Sequence, residues 1–164
     1  MNPENQQRGY SKDPIPLADY GILVGALNAA IALTAAGSGK DGRLLPGAKP
    51  FDFLVLALAT HKLARLISKD KVTSALRAPF SRLEGGAGAG ELDEVERGHG
   101  MRRTIGELVT CPYCATPWAA TALVLGHTLS RRAGKTYTLV LALTAAGHFL
   151  HQAYAKSKDW NHQT

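Results

Sequence analysis

Cysteine is nearly absent from this 164-residue chain, and Cys111 and Cys114 are its only two. One pair cannot build the disulfide framework that staples small secreted domains. Aromatic residues are sparse at 7% and are not interleaved with a basic run, which argues against a stacking platform for single-stranded nucleic acid. No P-loop, dinucleotide fingerprint, Ser-His-Asp set or pair of catalytic carboxylates is recognisable. The first sixteen residues are polar, and no cationic stretch leads straight into an apolar one, unlike a cleaved signal peptide. Nor does any stretch alternate apolar and polar residues as a half-buried strand would.

What the chain has instead is segregation. Its averages are ordinary, 45% hydrophobic and 20% charged, but long apolar stretches alternate with short basic ones. Leu17 to Gly37 holds one charge, Asp19, near its entry, with Pro14 and Pro16 before it. About 20 helical residues cross a hydrocarbon core of ~30 Å. Gly21, Gly25 and Ala29 form a small-residue ridge suited to close helix packing within the chain. The second stretch is interrupted by His61, Lys62 and Arg65, so it either leaves a bilayer through a basic end or lies along the interface. The third and fourth are joined by Ser130–Lys135 as a helical hairpin. The expected fold is all-α: an integral membrane bundle of four transmembrane helices, about 17–37, 51–68, 112–130 and 136–155. A polar arm (1–16) precedes the helical domain (17–156), and a short tail (157–164) follows it. The connector 69–110 is expected to be irregular, with "GGAGAG" as a flexible joint and Glu91 to Arg97 as a mobile charged piece.

The net charge of +6 points to an acidic partner. Arg65, Lys69, Lys71, Arg77, Arg82, Arg102 and Arg103 follow an apolar run and suit anionic lipid headgroups, at about 1 kcal/mol per residue. No nucleic-acid motif accompanies them. With four spans, one side gathers twice the Lys and Arg of the other, which places both termini and the connector in the cytoplasm.

Three readings of Cys-Pro-Tyr-Cys stay open. The cysteines could pack as small apolar residues, with Pro117 and Trp118 fixing the helix entry at headgroup level. They could exchange thiols, Cys111 as nucleophile at a helix N-terminus, Cys114 as resolving thiol and Glu107 as base. The tetrapeptide looks like a glutaredoxin site, but the βαβ context of that fold is missing. They could also hold zinc with His148 and His151, spaced i, i+3, or with His61 or His99 in their place.

"ATHKLARLISKDKVTSALRAPFSRLEG", "GELVTCPYCATPWAA" and "HFLHQAYAK" together resemble the bacterial domain-of-unknown-function 1360 family, over about Phe51 to Lys156. The matching positions are Arg65, Asp70, Arg77, Cys111, Cys114 and Trp118. Members often carry a glycine or other small residue soon after the second cysteine, where Ala115-Thr116-Pro117 stands here. The resemblance implies a small multi-pass membrane protein of bacterial or phage origin, with one sporulation-linked member, and no activity. The expected function is therefore a non-enzymatic scaffold or assembly factor in the bacterial cell membrane, meeting lipid, itself or another membrane protein. The alternatives are a membrane thiol oxidoreductase, a zinc-stabilised structural protein and a soluble helical bundle.

Overall fold

The structure is a computed structural model that describes residues 15–37 and 49–163, with side chains to Trp160. Most of the N-terminal arm, residues 38–48 of the first connector and Thr164 lie outside the described residues. Two compact units divide the chain. One comprises residues up to Leu33 with Leu66–Ala115, the other Thr34–Arg65 with Thr116–Thr164.

In the first unit, helix α1 (Leu17–Ala36) starts directly after Pro16, where proline cannot continue a helix backward without loss of a hydrogen bond. Its entry end is fixed by Tyr20, whose hydroxyl donates to the Glu107 carboxylate. Helix α2 (Pro50–Ser68) delivers its last turn to this unit, and a 3-10 turn (Lys71–Thr73) and the short α3 (Ser74–Arg77) follow. Then come two strands, β1 (Ser81–Gly88) and β2 (Glu91–Glu96), paired antiparallel. The register runs from Ser81 opposite Glu96 to Gly88 opposite Glu91, with shifts after Leu83 and Gly86. Gly88, Ala89 and Gly90 all have positive φ, a reversal that glycine adopts without steric cost. The exit of α2 joins the hairpin: Lys71 N–H donates to Gly90 O and Leu92 N–H donates to Lys69 O, both at 2.9 Å.

The centre of this unit is polar. Arg77 is 1% exposed. Its Nε donates to Glu94, its Nη1 to Ile67 O (2.9 Å) and Thr73 Oγ1 (2.7 Å), and its Nη2 to Asp70 O (3.1 Å). Guanidinium is always charged and presents its donors as a rigid fork, so a buried arginine demands this saturation. Ser81 Oγ donates back to Arg77 O at 3.0 Å. One residue thus ties α2, the 3-10 turn, α3 and both strands. Helix α4 (Met101–Thr110) lies on β2. Gly106 allows the approach: a Cβ there would stand 2.5 Å from Phe80 O and 2.9 Å from Glu96 Cβ.

In the second unit, the buried side chains are mostly small: Ala59 and Ala64 on α2, Ala119 on α5 (Pro112–Leu129), and Ala142 and Ala145 on α6 (Arg131–Gln163), with Leu123 and Leu141. A Cβ on Gly134 would meet His127 Cα at 2.7 Å, so the turn between α5 and α6 closes tightly. His61 stacks on Phe149, with ring centroids 5.6 Å apart, and His127 Nε2 pairs with Thr138 Oγ1 at 2.9 Å.

Several expectations change. The fold is mostly helical but not all-α. The connector read as irregular contains the hairpin, and its Gly-rich strand is held by the backbone ladder and the Arg77–Glu94 pair rather than by alternating side chains. Four transmembrane helices are not supported. Among the described residues, only α1 is long and apolar enough alone to cross a membrane. Helices α4 and α5 pass that test together, but with an 85° bend between them. Thr, Tyr, His and Gln dilute the apolar character of α5 and α6, and His61, Lys62 and Arg65 do so in α2. The side assignment counted over four spans therefore loses its basis. The Gly21–Gly25 ridge is not packed inside the chain either: nothing among the described residues lies within 4 Å of a Cβ built at either glycine.

Candidate functional site

The two cysteines sit at the joint between α4 and α5. A residue before proline is pushed out of helical conformation, and Cys111 is extended (φ −104°, ψ 110°), ending α4. Pro112 then opens α5, at the position where its missing N–H costs nothing. Cys111 thereby caps the new helix twice. Its carbonyl accepts from Ala115 N–H at 3.0 Å, and its Sγ accepts from Cys114 N–H at 3.3 Å. The two sulfurs are not bonded to each other; Cys111 is half-buried and Cys114 exposed.

Their environments differ in sign. Burial pushes the Cys111 thiol upward, but hydrogen bonds from the Cys114 thiol and from the backbone N–H groups of Cys114 and Tyr113, with the charge of Lys69, outweigh it. The result is a pKa below the ordinary thiol value. Cys114 moves the other way, to about 11, through burial, its hydrogen bond to Cys111, and the charges of Cys111 and Glu107. Glu107 is occupied as well as near: Tyr20 donates to one carboxylate oxygen and Arg103 Nε to the other at 3.0 Å. It contributes charge to the pair while bound to two donors.

For zinc, no group of three or more His, Cys, Asp or Glu side chains among the described residues is arranged to hold a metal ion. His148 and His151 stand exposed on α6, His61 is stacked on Phe149, and His99 is exposed in the turn before α4.

The basic residues separate into two groups. Arg77 is turned inward and cannot meet a headgroup. Lys69 pairs with Asp93 at 3.2 Å, and Arg103 lies between Glu96 and Glu107. Arg102 Nε donates to Pro79 O at 2.9 Å, and Arg65 is half-buried and partnered. Lys71 is exposed, and Arg82 is exposed and pairs with an exposed Glu84. The acidic strand "ELDEVE" has folded onto the basic segment, so much of its charge is answered from within. Sequence reasoning missed the Arg77–Glu94 pair. The available signal was the complementarity between the basic run 65–82 and the acidic run 91–96.

A model of the family described as "Protein of unknown function (DUF1360)" matches residues 55–154, which include Arg77, the hairpin and both cysteines but not α1. "Sporulation protein YjcA" of Bacillus subtilis (strain 168) is 30% identical over 106 residues, 63% of this chain and 90% of that protein. "UPF0713 protein YngL" of the same organism is 29% identical over 102 residues, 62% of this chain and 76% of that one. No solved structure matches the chain. With the hairpin, the buried arginine and the thiol pair all inside the matched region, the chain belongs to the DUF1360 family.

Proposed function

We propose that the protein is a scaffold or assembly factor held at the bacterial cell membrane by α1, with the hairpin unit as its rigid presenting surface. The observation that supports this best is the exposure of α1. Ile22, Val24, Ile31 and Leu33 are 58%, 59%, 47% and 71% exposed, and Thr34 is the only buried residue of the helix. Full burial of one such aliphatic side chain is worth about 1.5–3 kcal/mol. Water is thus the least favourable neighbour for this face, and hydrocarbon suits the helix beyond its Asp19–Tyr20 entry.

The Tyr20–Glu107 bond holds α4 level with the entry end of α1, so the hairpin unit lies at that end of the helix. Arg8 and Lys12 of the arm add to the basic residues of the connector, and this excess favours the cytoplasmic face. Lys71, Arg82 and Arg102 are exposed there to meet anionic headgroups. The sporulation role named for one relative fits an assembly factor. Fractionation of bacterial membranes tests the reading. The full chain stays with the membrane through alkaline carbonate and is released by detergent. Recovery in the soluble fraction without detergent contradicts it.

A further inference from the structure

We propose that Cys111 and Cys114 form a reversible dithiol that reduces a disulfide-bearing substrate, Cys111 attacking and Cys114 resolving. The geometry supplies each requirement. The cysteines are spaced i, i+3 across the first turn of α5, an 18-residue helix, so they share one face. Cys111 Sγ receives the Cys114 N–H at 3.3 Å, and its anion is further stabilised by the N-terminal end of the helix dipole. Cys114 and its neighbour Tyr113 are exposed, Tyr113 at 89%, so a substrate sulfur can reach the turn. The electrostatic asymmetry described above follows the same division of labour. A thiolate attacks, whereas a protonated thiol waits to resolve.

The chemistry balances in two displacements. The Cys111 thiolate attacks one sulfur of a disulfide R–S–S–R′, forming the Cys111–S–S–R bond and releasing R′–S⁻. Cys114 then gives up its proton, which ends on a departing thiolate, and attacks Cys111 Sγ. The Cys111–Cys114 bond forms and R–S⁻ leaves. Two electrons pass from the pair to the substrate, and an external dithiol restores the starting state. This is an activity beyond the scaffold reading, and it holds whether or not α1 lies in lipid.

The test uses the full-length protein with two probes, oxidised glutathione and the disulfide-bonded protein insulin, which separate a small disulfide from a protein disulfide. Cys114→Ser should trap a mixed disulfide on Cys111 at neutral pH. Cys111→Ser should form one on Cys114 more slowly, because Cys114 lies within the helix turn and lacks the N–H that caps Cys111 Sγ. In the wild-type chain, peptide mapping after pulse alkylation across pH should show Cys111 reacting at lower pH than Cys114, a readout that needs neither variant to fold. Wild-type protein should also lose two hydrogens to an intramolecular bond. Reaction with either probe in this pattern supports the proposal and identifies the substrate class. Equal rates for the two cysteines, or a wild-type pair that never closes under oxidised glutathione, overturns it.

Discussion

Between Ile67 and Arg97 the chain is dense in charge, yet it folds around one of those charges, with Arg77 and Glu94 both buried and every guanidinium nitrogen engaged. Leu17–Ala36 carries a single charge and leaves most of its side chains exposed. The two regions invert the usual rule that apolar residues supply the interior. The polar segment is closed by internal partners, whereas the apolar helix leaves its face exposed among the described residues. A buried ion pair is weak as a source of net stability but severe as a constraint, because neither partner can be lost alone. An exposed apolar helix is the reverse: tolerant of shape and intolerant of charge.

The largest effect expected from breaking this contrast is at Arg77. Arg77→Ala should destabilise the hairpin unit by about 3–5 kcal/mol by stranding Glu94, while the double replacement Arg77→Met with Glu94→Leu should recover most of that loss. Denaturant unfolding of the full chain in mild detergent measures both. Next, Ile31→Lys in α1 should cost about 2.5–3.5 kcal/mol of membrane insertion and move protein from the membrane to the soluble fraction, leaving the hairpin unit intact. Gly106→Ala should cost about 1–3 kcal/mol, since its Cβ would collide with Phe80 O and α4 would have to retreat from β2. The smallest effect belongs to Arg82→Ala. Arg82 and Glu84 are 70% and 49% exposed, and the stability change should stay within ~0.5 kcal/mol, while affinity for anionic vesicles falls measurably.

What the sequence makes legible divides along the same line. Proline punctuation and apolar runs mark the helices: α1 follows Pro16, and α5 opens at Pro112, where the missing N–H is harmless. The resemblance of residues such as Arg77, Cys111 and Cys114 to a known family also pointed to the right relatives. The hairpin was hidden because Ser81–Gly88 has three glycines and no alternation, and its pairing is decided by Arg77 and by backbone bonds from Lys69 and Lys71. Those are tertiary terms, invisible to local propensity. Hydropathy misled in the other direction. Apolar stretches in α5 and α6 read as spans, but small positions among them are buried within the chain: Ala119, Ala142, Ala145 and Thr138. At the thiol pair, spacing and the following proline indicated a helix N-terminus. The fixing of Glu107 by Tyr20, 87 residues away in sequence, was not readable.

Hydrogen exchange over residues 71–97 of the full chain in mild detergent tests the central contrast most directly. A folded polar unit predicts slow exchange at the amides of the β1–β2 ladder and at Leu92 and Lys71, with protection lost in Arg77→Ala. Exchange of the wild-type segment at the rate of an unstructured linker would contradict it.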